Sequence, residues 1–147
     1  MDKLAAVLPP QRGSLSRIRL ILADDHPDLL IAVTRILESQ FEIVATATDG
    51  LALMEAAARL KPDALIMDIS MPTLSGLEAA RKLKKEGCTS KIVFLTIHTD
   101  PDIVHASLET GAYGYVIKPR IATDLIPAIR DALAGIIFVS PSVDGHE

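Results

Sequence analysis

Short, mostly aliphatic runs alternate along this chain with longer segments whose apolar residues recur every three or four positions. The stretch Asp63-Ala64-Leu65-Ile66-Met67-Asp68 carries no charge between its two acids, so it reads as a strand buried on both faces; a half-exposed strand would alternate. Residues 18–23, 42–48, 91–95 and 113–117 are aliphatic or β-branched runs of strand length and read as four more strands. Between them lie helical stripes. The first begins at Pro27 and runs through Leu29, Leu30, Val33, Ile36 and Leu37. The second is capped by Asp49, follows Leu51, Met54, Ala57, Ala58 and Leu60, and is closed by Pro62. Ser75 caps a third, through Leu77, Ala80 and Leu83, ending at Gly87, and Asp100-Pro101 opens a fourth, through Ile103, Val104 and Leu108, ending at Gly111. The last stripe is Leu125, Ile126, Ile129, Ala132 and Leu133. Pro127 lacks the N–H that an earlier start would need, so Thr123 is the expected N-cap, followed by a distorted first turn.

Five strands each followed by a helix predict an α/β fold, a doubly wound parallel sheet in the order 2-1-3-4-5, because right-handed crossovers place successive helices on its two faces. Residues 1–16, with Pro9-Pro10, Gly13 and two serines, show no sustained period and are expected to form a flexible arm. Residues 17–135 form the predicted domain, and 136–147 a C-terminal linker or tail.

Composition narrows the function. A chain of 147 residues that is 49% hydrophobic and 23% charged suits one folded domain with an aliphatic core. A net charge of −4 with no basic cluster argues against nucleic-acid binding by this polypeptide, and 3% aromatics leave no base-stacking platform. The single cysteine, Cys88, forms no internal disulfide, and neither a signal peptide nor an apolar run of membrane length is present; a reducing cytoplasm is the expected compartment.

A sheet of this kind gathers residues from the carboxyl ends of its strands. Asp24 and Asp25 follow the first strand, Asp68 ends the third, Thr96 follows the fourth and Lys118 the fifth. Three carboxylates crowded at one edge call for a hard divalent cation, Mg²⁺ before others, with Lys118 supplying further positive charge. The set fits phosphoryl transfer to a carboxylate, with Asp68 as candidate nucleophile. Asp24-Asp25 alone could equally serve the following helix N-terminus, and His26 and His98 read by default as solvated loop histidines.

The ordered set of Asp24-Asp25, Asp68 with Met71-Pro72, Thr96, and Tyr115 with Lys118-Pro119 resembles the response-regulator receiver domain, over roughly residues 18–135. That resemblance implies a flavodoxin-like fold and a signalling domain, not an enzyme in its own right. It makes Asp68 the acceptor of a phosphoryl group from a sensor histidine kinase. Asp25, Asp68 and the Ser70 carbonyl become direct Mg²⁺ ligands, with Asp24 acting through water. Lys118 and Thr96 would contact the phosphoryl group, Thr96 and Tyr115 would form a switch pair, Pro119 would follow a cis peptide, and Ser70 and His98 would tune dephosphorylation. The segment Gly111–Lys118 and the tail from Gly135 to Pro141 are similar to NarL-type regulators, in which a helix-turn-helix domain follows. The implied output is therefore transcription through a DNA-binding domain absent from this chain, with homodimerisation through the fourth helix, fifth strand and fifth helix and no membrane partner. Two rivals remain: a stand-alone or degenerate receiver used as a protein-interaction scaffold, which would usually have lost an acid or the lysine, and a magnesium-dependent phosphohydrolase, which would want an acid where Ser70 stands.

Overall fold

Backbone pairing in the computed structural model, which describes residues 17–141, follows the aliphatic runs closely. The strands are β1 (Arg19–Ala23), β2 (Glu42–Ala47), β3 (Ala64–Met67), β4 (Lys91–Thr96), β5 (Gly114–Ile117) and β6 (Phe138–Val139). The helices are α1 (Pro27–Leu37), α2 (Gly50–Leu60), α3 (Gly76–Lys85), α4 (Pro101–Glu109) and α5 (Ile121–Leu133). All strand pairs are parallel, in the order β2-β1-β3-β4-β5-β6. The expected order of five is present and the sixth strand is added at the β5 edge. It is two residues long and lies in the segment expected as a tail, too short to show a period. The expected N-terminal arm, 1–16, and residues 142–147 lie outside the described residues.

Because side chains alternate across a strand, each strand serves two cores. Leu20, Leu22, Ile66, Val93 and Val116 pack with α1 and α5 through Val33, Leu37, Leu125 and Ile129. Ile21, Leu65, Met67, Phe94 and Tyr115 face the other way, towards Leu53, Ala57, Ala80 and Leu83 of α2 and α3. The expected caps form as read: Asp49, Ser75 and Asp100 accept from the N–H groups of Ala52, Glu78 and Asp102.

Two local readings change. The buried face of α2 is Gly50, Leu53, Ala56 and Ala57, while Leu51 is 59% exposed. Glu55 and Arg59, four residues apart, mark the exposed face, which also carries Leu51 and Ala58; the stripe read from apolar residues alone overlooked them, and Gly50 packs closely against Leu74 on the buried side. Helix α5 begins at Ile121, two residues before the expected Thr123 cap, and is entered through a 3-10 turn over Lys118–Arg120. Pro127 sits inside it on the exposed side, and Thr123, whose carbonyl loses its partner to the missing N–H, is exposed as well.

Candidate functional site

The carboxyl ends of β1, β3, β4 and β5 form one edge; Asp24, Asp68 and Lys118 directly follow their strands and Thr96 is the last residue of β4. Asp24 and Asp68 are 2% and 5% exposed, and Thr96 is fully buried. Lys118, at the start of the 3-10 turn, reaches back so that Nζ lies 2.8 Å from Asp24 Oδ2 and 3.0 Å from Asp68 Oδ2. Asp68 Oδ1 accepts the Ser70 N–H at 3.2 Å. Asp24 Oδ1 accepts the His26 N–H at 2.9 Å, and His26 Nδ1 stands 2.9 Å from the same oxygen and 3.1 Å from Asp25 Oδ1.

These contacts leave the cluster short of positive charge, with three carboxylates facing one ammonium. Burial raises the pKa of Asp68 by more than Lys118 and the Ser70 N–H lower it. At Asp24 burial acts in the same direction, but Lys118 and His26 outweigh it and its pKa is lowered. Burial likewise works against the Lys118 charge, and the two carboxylates more than compensate, so its pKa is raised. Asp25 Oδ1 is buried, and its contact with His26 Nδ1 is an ion pair without hydrogen-bond geometry. Ligand atoms of Asp24, Asp25, His26 and Asp68 all lie within 4.8 Å of one another, a spacing that suits a cation bridging oxygen donors.

A second tier lies beneath. Tyr115 is buried and its hydroxyl donates to the His98 carbonyl at 2.8 Å; burial pushes its pKa up to about 12. Thr96 Oγ1 accepts the His98 N–H at 3.1 Å, so Thr96 and Tyr115 hold one loop from two sides. Ser70 Oγ and His98 Nε2 meet at the rim, 3.5 Å apart. Over this face α4 is lightly packed, with Ser107 its one buried residue.

The chain has no cis peptide bond among the described residues, so the expected cis peptide before Pro119 is corrected to trans. Pro119 instead continues the 3-10 turn, in which the Ile121 N–H bonds the Lys118 carbonyl, and Lys118 reaches both carboxylates from that turn.

Several residues escaped sequence reasoning. His26 is solvent-exposed, as read, but it is also joined to Asp24, with its pKa raised first by that hydrogen bond; its adjacency to Asp24-Asp25 was the available signal. Gly76 crosses so close to Asp68 that a Cβ there would lie 2.0 Å from the Asp68 carbonyl oxygen. Nothing local distinguishes it from an ordinary first helical residue. Asp124 and Ser140, 5% and 2% exposed, form a second polar cluster behind the Lys118 turn.

Comparison with known proteins places this geometry. The family model of the response regulator receiver domain matches residues 20–130. The chain belongs to the receiver-domain family. It is 37% identical over 130 residues to the transcriptional regulatory protein DegU of Brevibacillus brevis, covering 87% of this chain and 55% of that protein. It is 38% identical over 128 residues to the uncharacterized transcriptional regulatory protein YvfU of Bacillus subtilis, covering 86% and 64%. The chain thus spans little more than half the length of these regulators. Among solved structures, the receiver domain of the putative response regulator NarL from Mycobacterium tuberculosis superposes with a TM-score of 0.77 at 28% identity, covering 81% of this chain and 98% of that one. The isolated receiver domain of RcsB from Salmonella enterica, determined with the phosphomimetic BeF3−, gives 0.80 at 30% identity, covering 87% and 96%. This is a receiver domain of the NarL/LuxR type of two-component response regulator. No helix among the described residues is long and apolar enough to cross a membrane.

Proposed function

We propose that this receiver domain, taken as residues 17–135, accepts a phosphoryl group on Asp68 from the phosphohistidine of a sensor histidine kinase. An Asp68 carboxylate oxygen attacks phosphorus, the P–N bond to the kinase imidazole breaks with its electron pair leaving on nitrogen, and an acyl phosphate results. The observation that carries this reading is Lys118 Nζ lying between the Asp24 and Asp68 carboxylates in a cluster that remains net anionic. Asp25, Asp68 and the Ser70 carbonyl would hold Mg²⁺ directly, with Asp24 acting through water, and the buried Asp25 Oδ1, whose polar neighbour is His26 Nδ1 at 3.1 Å, is the donor that fits it best. When bound, Mg²⁺ supplies the charge that lets an anionic donor approach three carboxylates.

The remaining roles belong to the chain. Lys118 releases its carboxylate partners to grip the phosphoryl oxygens, since a dianionic group competes for the ammonium better than a shared carboxylate. Thr96 turns its hydroxyl towards the same oxygens, which loosens its hold on the His98 N–H, and Tyr115 follows through the His98 carbonyl. Ser70 and His98, facing each other across the rim, would tune loss of the phosphoryl group by controlling access of water. The lightly held α4, with β5 and α5, is then the surface that changes, for homodimerisation or for docking a DNA-binding domain such as follows in longer regulators. The domain works as a signalling switch in the cytoplasm, with transcription as the output.

Incubation with Mg²⁺ and acetyl phosphate, followed by intact mass, tests the reading. One added phosphoryl group on the wild type and none on Asp68→Asn is expected; equal incorporation by the two would overturn it.

A further inference from the structure

The Lys118 turn is pinned at both ends by one polar ring that no part of the acceptor site uses. On its N-terminal side, the Ile117 N–H donates to Ser140 Oγ at 3.2 Å. On its C-terminal side, Arg120 grips Asp124 through Nε to Oδ2 at 2.7 Å and Nη2 to Oδ1 at 3.2 Å. The two sides are joined because the Ser140 hydroxyl donates to Asp124 Oδ2 at 2.8 Å. Thr123 Oγ1 adds a bond to Asp124 Oδ1 at 3.0 Å, and the Ser140 N–H bonds the Tyr115 carbonyl at 2.9 Å.

A hydroxyl is the group this ring requires, since it must accept from Ile117 and donate to Asp124 at once. Ser140 comes from the segment beyond α5, docked as the short strand β6 on β5. Lys118 Nζ, in turn, must sit within hydrogen-bond reach of two carboxylates presented by other strands, so small displacements of its backbone cost both contacts.

We propose that Asp124 and Ser140 are positioning residues for Lys118, so that the segment following the last helix is a working part of the phosphoryl-accepting site. This rests on the phosphoacceptor reading above. The ring fixes where the turn begins and ends, and thereby where the ammonium points. None of the Mg²⁺ donors Asp25, Asp68 and Ser70 belongs to the ring, and a displaced Lys118 only frees an Asp68 oxygen for the cation, so breaking the ring costs phosphoryl affinity without costing metal affinity.

The test measures two affinities on the whole chain: Mg²⁺ alone by calorimetry, and beryllofluoride at saturating Mg²⁺ by fluorine NMR. Ser140→Ala should weaken beryllofluoride binding about 3- to 10-fold, the size of one hydrogen bond, without weakening Mg²⁺ binding. Ser140→Thr, which keeps the hydroxyl, should restore it. In a Lys118→Ala background Ser140→Ala should have no further effect, because the two act through the same ammonium. Should Ser140→Ala fail to fold by circular dichroism, Asp124→Asn carries the same measurements. Equal loss of both affinities, no loss of either, or an undiminished effect without Lys118 would each overturn the proposal. A wild-type chain that takes up no beryllofluoride would instead overturn the phosphoacceptor reading beneath it.

Discussion

Two buried carboxylate clusters flank the Lys118 turn, and they are completed to different degrees. Asp124 has both oxygens occupied twice, Oδ2 by Arg120 and Ser140 and Oδ1 by Arg120 and Thr123. Burial alone would raise its pKa, but these donors outweigh it and the pKa is lowered. Asp68 has one ammonium, shared with Asp24, and one backbone N–H, and its pKa is raised. Both acids are about 5% exposed. Equal exposure hides two differences: Asp68 is the more deeply desolvated of the two, and it has fewer donors to offset that cost.

The largest expected effect that would break this contrast is chemical. Asp68→Asn should abolish phosphorylation by acetyl phosphate, whereas Asp124→Asn should retain it, as followed by intact mass. Next comes metal linkage. Mg²⁺ at about 100 times its dissociation constant should stabilise the wild type by about 2.7 kcal/mol in urea melts, through binding to the native state alone. Asp25→Ala should lose most of that gain at the same concentration, because it removes one of the two carboxylates proposed to hold the cation directly. An equal gain in both would show that the anionic cluster is not the cation site.

Stability of the apo chain should then move in opposite directions for the two clusters. Asp124→Ala should cost about 1–3 kcal/mol by leaving buried donors unmet. Asp68→Asn should raise the melting temperature in Mg²⁺-free buffer, since it deletes a desolvated charge beside Asp24. The pH dependence sharpens the point. Asp124, lowered in the fold, contributes stability that is present above its unfolded pKa and lost as pH falls through its folded value. Asp68, raised in the fold, weakens it when ionised and is relieved as pH falls through its folded value. Without Mg²⁺, acid melts should show a smaller loss of stability for Asp124→Asn than for wild type and a larger one for Asp68→Asn. The smallest effect is expected at the second tier, where Tyr115→Phe should cost about 1 kcal/mol by removing the bond to the His98 carbonyl.

Strand and helix positions were legible in the sequence because each depends on neighbours a few residues away. The charge-free run before Asp68, the caps Asp49, Ser75 and Asp100, and the helix-ending Gly87 and Gly111, both with positive φ, are all of this kind. The order of acids, hydroxyl and lysine at successive strand ends was legible too, since a parallel sheet brings all carboxyl ends to one edge. What failed locally failed where a few polar residues had to be weighed against many apolar ones, or where a local rule met solvent. The α2 stripe was read from its many apolar residues rather than from Glu55 and Arg59, the two that mark its wet face, and Pro127 was tolerated because its side of α5 is wet.

Tertiary structure alone decided which polar residues became partners. His26 and Asp24 are neighbours in sequence, but the bond between them depends on the path the chain takes out of β1. Gly76 is constrained by the Asp68 carbonyl eight positions earlier, and Ser140 by Ile117 and Asp124 across two elements. Hydrogen bonds act over about 3 Å between atoms whose separation in the chain carries no period, so no pattern of hydrophobic and polar positions encodes them. The amino-acid order determined the sheet, its edge and the chemical types gathered there. Only packing determined that one buried aspartate would be fully satisfied and the other left short of partners.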